Sequence, residues 1–114
     1  MANDDCLFCK IAAGDLPCDR VLETDTALAF RDIEPQAPTH VLVVPKRHHD
    51  NAAALAEAEP QTYLELVRIA AEVADKDGCD GYRLVFNTGA QAHQTVFHAH
   101  LHVLGGRPMG WPPG

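Results

Sequence analysis

The chain has 114 residues, with a hydrophobic content of 46% and a charged content of 22%, which are ordinary values for one soluble globular domain. No apolar run approaches the roughly 18 residues of a membrane helix, and the acidic N-terminus lacks the apolar core of a signal peptide. The formal net charge of −7 argues against nonspecific binding to nucleic acid or to an anionic membrane, so we expect neither as a partner.

Two segments have the patterns of helices. Residues 5–13 have a short apolar stripe, with Asp4 or Asp5 available to cap the start and Gly14 to end the helix. Residues 60–77 have apolar side chains at helical spacing with charged residues mainly opposite. The sequence therefore predicts a short N-terminal helix and one long helix.

Five apolar or alternating runs predict strands, at residues 20–24, 27–32, 39–45, 82–87 and 97–104. The third run is β-branched and nearly all apolar, which indicates a central, buried strand. Residues 105–114 are rich in glycine and proline and predict an irregular tail. The order of these elements predicts a single α+β domain over residues 1–114, built on a five-stranded, mainly antiparallel sheet.

Three histidines, His98, His100 and His102, occupy alternate positions in the last predicted strand. A strand would place them on one face, roughly 7 Å apart, and would place the apolar residues between them on the other face. A metal site is one use of such a row, since imidazoles are common ligands of zinc, copper and iron. Phosphate chemistry with a histidine nucleophile is the use that we favour, although the strand alone does not separate the two.

The four cysteines include one motif-like pair, Cys6 and Cys9. This C-x-x-C spacing fits a redox pair, half of a zinc site, or two ordinary helix cysteines. A redox pair is disfavoured because no thioredoxin-like βαβ pattern follows. Nothing in the sequence suggests export, so we expect a reducing, cytoplasmic setting.

The segment from His98 to Leu104 follows the pattern His-φ-His-φ-His-φ-φ, where φ is apolar, and resembles the signature of the histidine triad (HIT) family. Segments at residues 30–33, 35–40, 81–83, 104–108 and 111–114 also resemble its nucleotide-binding Hint branch. The resemblance implies a HIT-like fold and a purine nucleoside phosphoramidase that releases the nucleoside monophosphate and also accepts aminoacyl adenylates. No catalytic cofactor is implied. The alternative is a nucleotide-binding regulatory or scaffold protein with incidental hydrolysis.

The resemblance also implies a role for individual residues. His100 would be the nucleophile and form a nucleotidyl-histidine intermediate that water resolves. The backbone carbonyl of His98 would orient it, His40 would support its surroundings, and His102 would contact the phosphate. The implied substrate contacts are Asp32 to the ribose, Asn87, Gln94 and Thr95 around the phosphate and leaving amine, and Leu7, Phe8, Ile11, Leu16, Ile33 and Leu42 around the base. Relatives often have Gly-Gly where this chain has Ala92-His93, which makes the phosphate loop a departure from the pattern.

A structural zinc ion and a homodimer are the last two implications. The zinc ligands would be Cys6, Cys9, His48 and His98, which leaves no open coordination position. Reduced structural cysteines are the alternative. In the dimer, the C-terminal tail would bring Trp111 to the partner's substrate pocket, whereas an idle, disordered tail is the alternative.

Overall fold

A computed structural model of the chain describes residues 5–114. Its elements are α1 (Leu7–Ala13), β1 (Arg20–Glu23), β2 (Ala27–Arg31), β3 (Thr39–Pro45), α2 (Ala52–Ala58), α3 (Pro60–Lys76), β4 (Tyr82–Val85) and β5 (Leu101–Gly105). The strands form one antiparallel sheet in the order β1-β2-β3-β5-β4. This arrangement confirms the predicted α+β fold. Within residues 5–114, no helix is both long and apolar enough to cross a membrane.

The two faces of the sheet are covered by different helices. Alternate residues of β2, β3 and β5, such as Ala29, Val43 and Leu101, pack against α2 and α3. The intervening residues of β2 and β3, such as Phe30 and Leu42, pack against α1. Because α1 has only seven residues, it covers part of its face and leaves the rest free for polar side chains.

The predicted start of the first helix was wrong by two residues. The helix begins at Leu7, and its N-cap is Cys6, whose Sγ accepts a hydrogen bond from the Cys9 N–H at 3.4 Å. Asp4 lies outside the described residues. Gly14 ends the helix as predicted, with a φ of 85° that glycine adopts without strain, and it donates its N–H to the Ile11 carbonyl.

The second helix, α2, was not predicted. Asn51 caps it by accepting a hydrogen bond from the Ala54 N–H at 2.9 Å. Leu55 is its one buried residue, so the sequence has no apolar stripe there to reveal a helix. The long helix α3 matches its prediction closely, and its buried face includes Leu66 and Val73.

The last strand begins later than predicted. Ladder pairing starts at Leu101, so the backbone of residues 97–100 lies outside the sheet, and Phe97 is 51% exposed rather than packed in the core. The strand also includes Gly105, the first residue of the predicted tail. A Cβ at that position would lie 2.7 Å from the Cys79 Sγ, so the close approach requires glycine.

Candidate active site

Two histidines on adjacent strands form the base of the site. β3 and β5 pair so that His102 lies opposite Leu42 and His40 lies opposite Leu104. The two imidazoles are therefore diagonal neighbours on the α1 face, with His40 Nε2 2.9 Å from His102 Nδ1. A cleft of about 610 Å³ opens over them and is lined by Asp32, Glu34, Gln36, His40, Asn87, His93, Thr95, His100 and His102.

His100 is held as a neutral imidazole with one free lone pair. Its Nδ1 lies 2.7 Å from the backbone carbonyl oxygen of His98, and because a carbonyl only accepts, Nδ1 must be the protonated nitrogen. Burial lowers the pKa of His100, while the hydrogen bond to the His98 carbonyl opposes that shift. The Phe8 ring packs edge-on against the His100 ring, with 5.0 Å between the ring centroids, and covers one side of the imidazole with an apolar group. Nε2 is left unprotonated, as a nucleophile requires.

A backbone amide fixes the tautomers of the other two imidazoles. The Gln36 N–H donates to His40 Nδ1 at 3.0 Å, so a neutral His40 carries its proton on Nε2. That proton is donated to His102 Nδ1, which leaves the His102 proton on Nε2. This Nε2 is buried and has no hydrogen-bond partner within residues 5–114. The hydrogen bonds from Gln36 to His40 and from His40 to His102 thus leave the Nε2–H of His102, a cleft-lining residue, as one unsatisfied donor.

Asp32, His40 and His102 place potential ligand atoms within 4.8 Å of one another. His40 is a poor metal ligand in this arrangement, because its lone pair on Nδ1 already accepts the Gln36 N–H. Coordination of a metal through the His40 Nε2 would place the ring proton on Nδ1. The ring would then lose the hydrogen bond from Gln36, and its Nδ1–H would face the Gln36 N–H. The three side chains are better suited to binding a ligand through hydrogen bonds.

We expect the His102 imidazole to stay neutral until the pH falls to about 4. Burial is the main cause of its lowered pKa, the neighbouring His100 and His40 lower it further, and Asp32 opposes the shift. Because the folded-state pKa lies below the unfolded value, the resulting stabilisation is present above the unfolded pKa of about 6.5 and is lost as the pH falls toward 4. Imidazole nitrogen shifts of ¹⁵N-histidine-labelled protein, followed by NMR from pH 7 to pH 4, measure this. Titration of His102 near pH 6.5 would contradict it.

Cys6, Cys9, His48 and His98 form a second cluster beneath the site. The distance from the His98 Nδ1 is 3.3 Å to the Cys6 Sγ and 3.5 Å to the Cys9 Sγ, and the His48 Nδ1 lies 3.5 Å from the Cys9 Sγ. A tetrahedral zinc with bonds of about 2.3 Å to sulfur and 2.0 Å to nitrogen separates such ligands by roughly 3.5 Å. The donor set and its spacing fit zinc.

The remaining ring nitrogens of this cluster support the same conclusion. His98 Nε2 lies 2.8 Å from the Pro45 carbonyl oxygen, and His48 Nε2 lies 2.9 Å from the Asp50 carboxylate. Both partners accept, so each Nδ1 keeps its lone pair facing the sulfurs, as in most zinc-bound histidines. Burial lowers the pKa of His98 to about 4, which keeps it neutral for coordination.

Comparison with known proteins places this architecture in a family. The HIT domain family matches residues 13–109. The chain belongs to the HIT family. An uncharacterised HIT-like protein of Synechococcus elongatus is 46% identical and covers 98% of this chain and 99% of its own length. A protein of Zea mays named as a 14 kDa zinc-binding protein is 47% identical, over 95% of this chain and 87% of its own length.

Solved structures of HIT proteins have the same fold. A HIT family hydrolase from Legionella pneumophila is 46% identical, with a TM-score of 0.92 over 96% of this chain and 100% of its own. A histidine triad protein from Clostridium difficile is 38% identical, with a TM-score of 0.91 over 96% of this chain and 97% of its own. This chain therefore has the fold of HIT-family hydrolases.

Among the predicted substrate contacts of this HIT domain, three lie at the cleft. Asp32, Asn87 and Thr95 line it together with His40, His100 and His102. The Asp32 Oδ1 accepts the Glu34 N–H at 2.8 Å, which fixes the carboxylate, and its Oδ2 lies 3.5 Å from the His40 Nε2. The carboxylate retains lone pairs for ligand hydroxyl groups.

Gln94 is placed differently from the prediction. It is buried and does not line the cleft. Its Oε1 accepts the Gly89 N–H, and its Nε2 donates to the carbonyls of Asp50 and Val96. The side-chain amide is thus committed to holding the loop that carries Thr95, rather than to a direct phosphate contact.

The predicted base-pocket and tail residues do not line the cleft, although the Phe8 ring contacts His100 from below. Phe8 and Leu42 are buried in the α1 cluster of the core, as is Ile11, and Leu16 packs against that cluster. Ile33 is 94% exposed and Trp111 is 84% exposed. Within residues 5–114, these side chains are therefore either beneath the site or outside it.

The structure adds cleft residues that the sequence analysis did not propose. Glu34 and His93 line the cleft, and the Gln36 backbone sets the histidine tautomers. His93 has a φ of 68°, a conformation that suits glycine and costs most other residues energy. The loop thus keeps the backbone turn expected of glycine and adds an imidazole. The two prolines that flank this turn, Pro35 and Pro38, were the sequence signal for a rigid backbone at Gln36, but no sequence pattern identified Glu34.

Proposed function

We propose that this protein hydrolyses the P–N bond of purine nucleoside 5′-phosphoramidates to the nucleoside monophosphate and an amine, and that it also hydrolyses aminoacyl adenylates. The observation that carries the proposal is the 2.7 Å bond between the His100 Nδ1 and the His98 carbonyl. It leaves the His100 Nε2 lone pair at a cleft lined by hydrogen-bonding side chains. The resemblance to the Hint branch supplies the purine nucleotide as substrate.

In the first step, the His100 Nε2 attacks phosphorus, the P–N bond breaks, and the leaving nitrogen takes a proton from solvent water and departs as an amine; the proton is returned to solvent when water attacks in the second step. The His102 Nε2–H is the donor that we assign to developing charge on the phosphoryl group, since His102 lines the cleft and this nitrogen has no hydrogen-bond partner among residues 5–114. In the second step, water attacks the nucleotidyl-histidine, the P–Nε2 bond breaks, and His100 is regenerated. No step requires a catalytic cofactor.

The substrate contacts follow from the cleft lining. Asp32 is the carboxylate for the ribose hydroxyls, because the Glu34 N–H fixes its orientation. Asn87 and Thr95 supply neutral hydrogen-bonding groups for the phosphate and the leaving amine. We assign Gln94 an indirect role, in which it orders the loop that carries Thr95.

We also propose that Cys6, Cys9, His48 and His98 hold a structural zinc ion. The spacing of the four ligand atoms and the carbonyl and carboxylate behind the two imidazoles support it. All four coordination positions would be filled by protein, so the ion would crosslink the chain and would not bind substrate.

The exposed edge of the sheet supports a homodimer. β4 is an edge strand, and its Tyr82 and Leu84 side chains are exposed. An unpaired strand edge with exposed apolar side chains readily pairs with a second copy. The Arg83 guanidinium of this strand donates to the Gly110 carbonyl at 2.7 Å, which holds the tail near β4. In the proposed dimer, the exposed Trp111 would lie at the interface and reach the partner's cleft.

Truncation after Arg107 is expected to leave the dimer largely intact, because β4 and its neighbours remain. It should change which leaving amines are hydrolysed best, since it removes Trp111 from the partner's cleft. Size-exclusion chromatography and kcat/KM for a series of adenosine phosphoramidates measure the two effects. Unchanged selectivity in a stable truncated dimer would limit the tail to packing, and a monomeric wild type would refute the interface.

The function is tested by comparing two substrates that have the same nucleoside and the same organic substituent but differ in the atom that leaves phosphorus. One is an adenosine 5′-phosphoramidate, and the other is the corresponding phosphodiester, with oxygen in place of nitrogen. We expect rapid release of adenosine monophosphate and amine from the first and slow release from the second. Tight nucleotide binding without turnover of either compound would favour the regulatory nucleotide-binding protein.

A further inference from the structure

We infer that the Cys6, Cys9, His48 and His98 cluster is also a positioning device for the nucleophile. In this inference, zinc bound there fixes the peptide group between His98 and Ala99, and that peptide group holds His100 in its attacking orientation. The inference rests on the proposed role of His100. If it is right, the cluster affects the rate of the reaction as well as the stability of the folded protein.

The peptide group between His98 and Ala99 is held at both ends. Its carbonyl oxygen accepts the His100 Nδ1–H at 2.7 Å. Its N–H donates to the His49 carbonyl oxygen, also at 2.7 Å. Because a peptide group is planar, a rotation of this plane lengthens both bonds at once and releases the His100 ring.

The sheet does not hold this peptide group. β5 begins at Leu101 and its pairing with β3 begins at the same residue, so the segment before it depends on side chains and loop contacts. One of these is made by the fully buried His98 ring. Its Nε2 is anchored on the Pro45 carbonyl, and its Nδ1 faces the two cysteine sulfurs.

The cluster fixes both sides of the peptide group. His98 carries the carbonyl itself, and His48 directly precedes His49, whose carbonyl accepts the Ala99 N–H. A metal ion would join these two segments to each other and to α1 through Cys6 and Cys9. Without the ion, the His98 Nδ1 has only weak thiol hydrogen bonds, and the two segments are held together less tightly, through the Ala99 N–H bond to the His49 carbonyl.

We therefore expect loss of zinc to lower kcat by about 10- to 100-fold, the usual effect of removing a partner that orients a reacting or ligating group. KM should change little, because Asp32 and Asn87 belong to segments outside the cluster. Cys6, Cys9 and His48 would thus be positioning residues, each acting on the reaction through His98.

The experiment compares the full-length zinc-loaded protein with protein treated with a zinc chelator. The readout is the His100 Nδ1–H proton in ¹⁵N-histidine-labelled protein, identified by its loss in His100→Gln. This proton is protected while the bond to the His98 carbonyl persists. It requires no substrate, so it tests the positioning even if the protein does not hydrolyse phosphoramidates. We expect a sharp signal with zinc and an exchange-broadened or absent signal without it.

Two variants keep the test decisive if the chelated protein unfolds. His48→Ala removes the more exposed imidazole ligand and retains three; we expect a weakened His100 signal and a lower kcat, both restored by added imidazole. Leu66→Ala is the control, since it destabilises α3 packing without contacting the cluster. At a temperature where both variants are folded, Leu66→Ala should keep the signal and the kcat.

Either of two results would overturn the inference. In the first, folded metal-free protein or His48→Ala keeps both the protected His100 proton and the wild-type kcat. In the second, Leu66→Ala loses the proton signal and kcat to the same extent as His48→Ala, which would show that general loss of stability is responsible.

Discussion

Replacing His100 with alanine is expected to lower kcat for an adenosine 5′-phosphoramidate by more than about 10⁴-fold. The imidazole forms the covalent bond to phosphorus, so its loss removes the reaction path itself. Removal of a general acid or base typically costs about 10²- to 10⁴-fold. Affinity for adenosine monophosphate should be largely retained, since Asp32, Asn87 and Thr95 still line the cleft. Steady-state kinetics and calorimetric binding measure the two quantities.

His102→Ala is the matched comparison, because His102 lines the same cleft but only donates a hydrogen bond in the proposed reaction. We expect its kcat to fall by about 10²- to 10⁴-fold, less than that of His100→Ala. Circular dichroism should show both variants to be folded. Turnover by His100→Ala within tenfold of the wild type would refute the nucleophile assignment.

Chelation of zinc is expected to lower the melting temperature by at least about 10 °C. An ion held about 1,000-fold above its dissociation constant stabilises the folded state by about 4 kcal/mol, and each kcal/mol shifts the melting temperature of a domain of this size by about 4–8 °C. The effect should be strongest in α1, because Cys6 and Cys9 lie at its start. Differential scanning calorimetry with and without chelator measures it, and hydrogen exchange locates it.

The Cys6→Ala/Cys9→Ala double variant provides the control. It lacks both sulfur ligands, so the chelator should not shift its melting temperature further. If wild-type protein bound no zinc and melted at the same temperature with and without chelator, the four residues would be a buried polar cluster rather than a metal site.

The strands were predictable because each is an apolar or alternating run. The unbroken apolar run of β3 identified the central strand, since Val41 and Val43 face α3 while Leu42 and Val44 face α1. The position of His102 among the apolar residues of β5 likewise identified the face that carries the candidate site. Side-chain direction in a strand is fixed by position alone, so the sequence was sufficient there.

Features that depend on tertiary contacts were not predictable. The start of β5 was predicted too early because alternation continues through residues 97–100, whereas the ladder needs a partner strand beside it. The cap of α1 is Cys6 rather than an aspartate, and only the folded cluster places that sulfur. The resemblance placed Gln94 around the phosphate and the leaving amine, and it gave no sign that three nearby backbone groups bind the side-chain amide.

In the proposed reaction, His100 carries the nucleotide. The direct test is intact and peptide mass spectrometry of wild-type protein quenched in alkali during turnover of an adenosine 5′-phosphoramidate, since phosphorus–histidine bonds survive base. We expect one adenylyl group per chain on the peptide that contains His100, formed and lost at rates consistent with kcat, and absent from His100→Ala. Steady turnover with no adenylylated peptide, or with the group on another residue, would contradict it.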